Sequence, residues 1–276
     1  MTLSERNNIS IAQIVIYAPS LLIAIWLALR HGFGRNAGWF FLIVFSLARI
    51  IGASLQLATI ADPTNLSLHI GAATLQNVGL TPLIMVQVSL VGRALGSIRK
   101  TAVPFVTEQR LRVVHLVALV GMVLSAVGGS DSSQSYAGTG VYTVSGTSQA
   151  GIGLVIAAYV LLVFSTLLVV SQLSQVEMGE KRLVLAVGLS LPFILVRLIY
   201  SAISVFAHNP AFNQLTGDIN VQLGMAVIME MIVVIIVESI GMTLQRMQRV
   251  QVATASRDSQ SRRLQSEDDH EMGAYR

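Results

Sequence analysis

Apolar and polar positions alternate along this chain in long blocks. Runs dominated by Leu, Ile, Val, Ala and Phe occur at roughly Ser10–Leu29, Trp39–Thr59, Leu66–Val91, Leu111–Gly128, Gly151–Leu173, Leu183–Phe206 and Ile219–Leu244. Each is close to the ~17–25 residues that an α-helix needs to cross a ~30 Å hydrocarbon core. The blocks are separated by polar segments: 30–38, an Asp62-Pro63 turn, a basic stretch from Gly92 to Arg110, a Gly/Ser/Thr-rich stretch over 129–148, a charged stretch around Glu177–Arg182 and an Asn/Pro stretch over 207–217. The pattern predicts an all-α bundle of seven transmembrane helices over 10–244, preceded by a short tail (1–9). From Gln245 to Arg276 the chain turns to Ser, Gln, Arg and an acidic run, and reads as a disordered tail.

Polar residues inside the runs give the bundle an inner face. In Leu183–Phe206, Arg197, Tyr200, Ser201 and Ser204 fall at i, i+3, i+4 and i+7, one side of a helix. At 1.5 Å per residue, Arg49, the Gln76-Asn77 pair, Arg197 and Glu230 come from four helices to about the same depth. Gln56 continues the Arg49 face at i+7, Thr81 the Asn77 face at i+4, and Glu238 lies two turns from Glu230. A charge in this position costs ~2.5–3.5 kcal/mol on insertion scales, so these groups are expected to face one another or a wet cavity. Glu230 is the one carboxylate at that depth against two arginines, which leaves one cation over for a ligand or for a wet site. The arginine with the Tyr200-Ser201-Ser204 stripe suits a cavity lining. Arg49, beside Gly52 and Ala53, suits close helix packing. Pro19, Pro82 and Pro192 favour bends near such a site.

Composition agrees with a membrane protein: 53% of residues are hydrophobic and 12% charged, against about 25% charged in soluble domains. Mean hydropathy is +0.68. The net charge of +4 is not gathered on one face, so nucleic acid is not an expected partner. Nine Lys/Arg (30, 35, 93, 99, 100, 110, 112, 181, 182) lie in or beside the first, third and fifth connections, and the tail adds six, fifteen of eighteen in all. By the positive-inside rule the amino end lies outside and the carboxyl end in the cytoplasm. Spans 1–3 and 5–7 would then run in parallel about span 4, with Arg49-Ile50-Ile51 and Arg197-Leu198-Ile199 as echoes of a 3+1+3 repeat. Asn8 and Asn65 head acceptor sequences for glycosylation, both on the outer side. Ser266, between Arg263 and Glu267, is a phosphorylation candidate.

Several chemistries are disfavoured. The chain has no cysteine, hence no disulfide and no thiolate metal site. Its five histidines (31, 69, 115, 208, 270) are dispersed, so no metal site is expected. Both lysines lie in connections, which excludes a Schiff base within the bundle. An enzymatic role is the weaker reading, because an acid between arginines suits an ion pair better than a proton donor; no cofactor is expected. What remains is a multi-pass protein that binds or moves a small amphipathic or anionic molecule through a polar site at mid-depth. The alternatives are a receptor-like signalling protein, and a structural, accessory or enzymatic membrane component of a biosynthetic pathway.

Longer strings carry a resemblance. Ile16-Tyr17-Ala18-Pro19, RHGFGRNAGW (30–39), SLARIIGASLQLATI (46–60), QNVGLTPL (76–83), GEKRLVLAVGLSLPFILVRLIYS (179–201) and the helix of Glu230 closely resemble a family of fungal seven-helix integral membrane proteins defined as a domain of unknown function. The resemblance spans roughly Ser10–Leu244. It implies a fungal source and a multi-pass fold, and it brings no activity, ligand or catalytic residue.

Overall fold

The structure is a computed structural model and describes residues 4–31, 38–99, 107–139, 143–176, 180–207, 209–212 and 217–244. The chain divides after Leu244. The tail 245–276, with Ser266, lies outside the described residues, as do Arg35 and Lys100. Among the described residues every regular element is helical: α1 (Glu5–His31), α2 (Trp39–Ala58), α3 (Leu66–Val78), α4 (Leu80–Ile98), α5 (Glu108–Thr139), α6 (Gly146–Ser171), α7 (Lys181–Phe206), α8 (Ile219–Gln222) and α9 (Ile228–Thr243), with short 3₁₀ turns at Leu173–Gln175 and Pro210–Phe212. A π turn, Leu223–Val227, joins α8 to α9. Seven stretches are long and apolar enough to cross a membrane, one of them formed by α3 with α4 and another by α8, the π turn and α9.

Three expected boundaries are corrected. Helix continues through Gly92 and Arg93 to Ile98 where a basic loop was expected, because Arg93 is buried and paired within the bundle. It continues from Gly128 to Thr139 through the Gly/Ser-rich stretch, where Ser132 and Ser133 return hydrogen bonds to the carbonyls four residues back. At the start of the chain, α1 begins at Glu5, inside the segment expected as a tail.

The third span is the axis. In its most apolar window 94% of residues are buried, against 33–50% in the other six. α4 touches α2, α5, α6, α7 and α9, while α3 leans outward between α2 and α5. The others form a ring in the order α1, α2, α3, α5, α6, α7, α9 and back to α1. This span also has the lowest mean hydropathy of the seven, 1.6. The two facts have one cause: a helix that meets no lipid has no need to be apolar, provided its polar groups find partners inside. The ring helices instead carry bare apolar side chains outward, among them Leu22 and Leu29 on α1, Ile51 on α2, Leu116 on α5, Phe164 and Leu167 on α6, Leu185 on α7 and Ile235 on α9. A belt of this extent suits lipid and not water.

Helices α5 and α6 approach closest through small residues, as expected where packing and not water drives association. A methyl group added at Gly151 would overlap the backbone at Ser125, and one added at Gly128 would overlap the backbone at Ser148. Gly151→Val is therefore expected to force the helices apart and cost ~1–3 kcal/mol, read as a lower melting temperature in detergent. Gly153→Val, two residues on with open space about it, should leave the temperature nearly unchanged. Equal effects at both positions would show that close packing here is unimportant.

Candidate functional site

Four helices bring their polar residues to one point. Arg49 on α2, Arg197 on α7 and Glu230 on α9 are 2%, 3% and 1% exposed. Both arginines reach the same carboxylate oxygen. Glu230 Oε1 accepts from Arg49 Nη2 in a short contact and from Arg197 Nε at 2.7 Å. Gln76 at the end of α3 is the fourth member. Its side-chain oxygen accepts from Arg49 Nη1, and its main-chain carbonyl accepts from Arg49 Nη1 at 3.3 Å and Arg197 Nη2 at 3.2 Å. Arg197 Nη1 also donates to Ser201 Oγ at 2.5 Å. The guanidinium of Arg197 lies over the Tyr200 ring and that of Arg49 over Phe45, 5.4 and 5.3 Å from the ring centres. The site holds two positive charges and one negative.

Two departures from regular helix bring these groups together. Pro82 has no N–H to give the Val78 carbonyl, and the regular helix is interrupted for one residue at Gly79, between α3 and α4, while the backbone keeps right-handed helical angles there. A side chain at Gly79 would occupy the space of the Arg49 guanidinium, so only glycine lets the arginine lie against the backbone at this point. The second departure is the π turn, which ends three residues before Glu230. Such turns recur at functional sites because the extra residue re-aims the helix that follows.

Beside the cluster a cavity of about 190 Å³ opens at the end of the bundle where α1 begins and α2 finishes. Its polar walls are Arg6, Ser10, Gln56, His69, Gln76 and Gln222, with Gly52, Ala72 and Ala73 giving the floor its width. Among the described residues no carboxylate lines it. Gln76 belongs to both vestibule and cluster, so the charged site is one residue behind the vestibule wall. Arg6 Nη2 donates to the Gly217 carbonyl at 3.2 Å, and Gln56 Nε2 to Asn7 Oδ1 at 3.4 Å, which ties α1 to the rim. Several buried polar atoms have no hydrogen-bond partner among the described residues: Arg49 Nε, Gln13 Nε2, Tyr17 Oη, Thr74 Oγ1 and Glu230 Oε2. Four of the five can donate, which is the chemistry an acceptor would satisfy.

The residues expected at the site are distributed as follows. Arg49, Gln76, Arg197, Ser201 and Glu230 form one hydrogen-bonded cluster. Neither arginine is left without a carboxylate, since the two share one oxygen. The Tyr200 ring lies tilted against that of Phe212, 5.8 Å between centroids, and Ser204 is buried on the same face of α7; neither lines the vestibule. Gln56 does line it. Asn77 lies on α3 and its side chain is outside the described residues. Asn8 is exposed within α1, and Asn65 stands at the start of α3 with Nδ2 donating to Asp62 at 3.1 Å.

A face of α1 was missed. Asn7, Ser10, Gln13, Tyr17 and Ser20 are all buried, and their spacing of 3, 3, 4 and 3 is itself the helical signal that could have found them. Gln13 reaches the cluster through Gln76, whose Nε2 donates to Gln13 Oε1 at 3.4 Å. A second buried pair was also missed: Arg93 on the axis grips Glu180 through Nε and Nη2 at 2.9–3.2 Å, at the end of the bundle away from the vestibule. Neither residue stood out, because both sit among surface charges in the sequence.

Residues 3–247 match the family described as a domain of unknown function, DUF7702. The chain belongs to this family. No curated protein and no solved structure matches it. The match covers all seven spans and both helix irregularities, so the charged cluster lies wholly within the family's domain.

Proposed function

We propose that this protein is a multi-pass membrane protein that binds a small anion at the Arg49–Arg197 pair and passes it across the bilayer. The observation that carries the reading is the sharing of one Glu230 oxygen by two buried guanidinium groups. The pair keeps a surplus positive charge at mid-depth, and a buried surplus charge marks a functional site by default. The vestibule supports an anion as its occupant, since its walls are amide, hydroxyl, imidazole and guanidinium, without a carboxylate among the described residues. Its volume of about 190 Å³ is below the ~300–1,000 Å³ of sites for drug-sized ligands, which favours a small anion over a long amphipathic molecule.

Two helix irregularities meeting at one cluster, Gly79 and the π turn, support binding there, because π turns recur at functional sites. The Lys/Arg distribution supports an amino end, and with it a vestibule, on the outer face. The motif strings add an expected fungal source. On this reading a ligand would enter from outside through the vestibule, with the Arg93–Glu180 pair at the opposite end of the bundle.

The test is anion-dependent stability of the purified chain. Replacing gluconate by chloride or inorganic phosphate at constant ionic strength is expected to raise the melting temperature, since a ligand at 100 times its Kd adds ~2.7 kcal/mol. Arg197→Gln should fold, keep Arg49 paired with Glu230 and lose that increment. If neither anion shifts the wild-type protein at millimolar concentration, or if Arg197→Gln responds as the wild type does, the anion site is not here.

A further inference from the structure

Two turns along α9 from Glu230, a second carboxylic acid is buried and, among the described residues, pairs with no cation. Glu238 is 6% exposed, and its hydrogen-bond partner among the described residues is Ser20 on α1, at 2.5 Å from Oε1. The surrounding hydrogens can be counted. Ser46 on α2 gives its hydroxyl hydrogen to the Leu42 carbonyl at 2.9 Å and stands 3.4 Å from Ser20 Oγ. Ser20 therefore has one hydrogen to give to Glu238, and nothing behind it in the chain of hydroxyls supplies another. The ionisable groups on the helices packed against α9 are Glu5, Arg6, Tyr17, Arg30 and His31 on α1, Arg93 on α4, and Lys181, Arg182, Arg197 and Tyr200 on α7. Among the described residues none forms an ion pair or hydrogen bond with Glu238: Arg197 is bound to Glu230, Arg93 to Glu180, Arg182 donates to the Thr243 carbonyl, Arg6 donates to the Gly217 carbonyl, and Arg30 lies over the Trp26 ring. A carboxylate holding one neutral donor in a dry interior takes up a proton instead of keeping its charge.

We propose that Glu238 is a proton-binding site that is loaded and emptied as the anion crosses, so that one proton accompanies each anion. The inference rests on the anion reading for its partner, while the proton site itself stands on the local geometry. The step is simple in its balance: the carboxylate takes one proton to become the carboxylic acid and later returns it, with no other reactant. The 2.5 Å contact between Ser20 and Glu238 leaves no room for a metal cation between those oxygens. The two sites share their supports, for α9 carries both Glu230 and Glu238, and α1 carries both Gln13 and Ser20. A shift of α1 against α9 that opens the far end parts Ser20 from Glu238 and admits water to the acid, which then ionises and releases its proton. An anion on the arginine pair and a proton on Glu238 cross together without net charge, so the membrane potential does not oppose the movement.

Infrared spectroscopy of the full chain in lipid reads the proton directly. The wild type should show the carbonyl band of a protonated carboxylic acid at neutral pH, lost in Glu238→Gln. Ser20→Ala removes the one donor with minimal change of shape and should shift that band to higher frequency, a readout that holds even if Glu238→Gln does not fold. No such band in the wild type, or a band that neither substitution alters, overturns the proposal. In vesicles enclosing a pH-sensitive dye, an inward chloride or phosphate gradient should acidify the lumen with the wild type. Glu238→Gln should keep the anion-dependent rise in melting temperature and lose the acidification. Acidification undiminished in Glu238→Gln, or anion entry driven by a sodium gradient at fixed pH, overturns it as well. Failure of the anion reading is recognised separately: the melting temperature ignores both anions while the Glu238 band remains.

Discussion

Replacing Glu230 by glutamine is expected to destabilise the bundle more than removing either arginine that it serves. In the wild type two guanidinium groups share one carboxylate oxygen, and the remaining hydrogen bonds go to Gln76 and Ser201. Glu230→Gln keeps the shape and removes the only negative charge in the cluster, leaving two buried cations facing a neutral amide. Breaking a buried pair in this way costs ~3–5 kcal/mol, which for a chain of this size lowers the melting temperature by roughly 6–20 °C. Arg49→Gln or Arg197→Gln instead leaves one cation with one anion, and the loss is confined to charged hydrogen bonds worth ~1.5–3 kcal/mol. Thermal melts of the three variants in one detergent decide the order. If either arginine variant melts well below Glu230→Gln, the carboxylate is not the element that neutralises the site.

Gly79→Ala is the second substitution with a large expected effect, although it adds only a methyl group. That methyl would lie where the Arg49 guanidinium now sits, so the arginine must leave Glu230 and Gln76 or the third span must move. Either outcome costs ~1–3 kcal/mol for the forced repacking, and the first also forfeits the charged bonds of Arg49. The two residues are thus coupled, and a double-mutant cycle reads the coupling. In an Arg49→Gln background the alanine should cost less by ~0.5–3 kcal/mol, because the space has been vacated. Gly188→Ala on α7, with open space about it, should be neutral or slightly stabilising as a helical Gly→Ala change without strain. Simple additivity of Arg49→Gln and Gly79→Ala would mean that Gly79 serves the backbone alone.

The charged core of this protein was legible in its sequence because membrane helices are nearly straight rulers. A rise of 1.5 Å per residue gives depth from position, and a bilayer penalises every unpaired charge. Arg49, Gln76, Arg197 and Glu230 are therefore required to find one another, and the seven runs, their length and their polar faces follow from the same penalty. What depth does not give is azimuth, the direction in which each face points about the bundle. Which span is central, which oxygen the arginines share, and that the vestibule is walled by α1, α2, α3 and α8 without Tyr200 or Ser204 in its lining, all depend on how helices pack sideways. That packing is set by close contacts such as Gly151 against Ser125, contacts that no periodicity records. The interruption at Gly79 and the π turn before Glu230 are of the same kind. Sequence offers Pro82 as a hint of the first and nothing for the second, because a π turn is chosen by the neighbours its extra residue satisfies. The Ser20–Glu238 contact is the sharpest case: 218 residues separate its partners, and only the closing of the ring between α9 and α1 places a hydroxyl against an acid that pairs with no cation among the described residues.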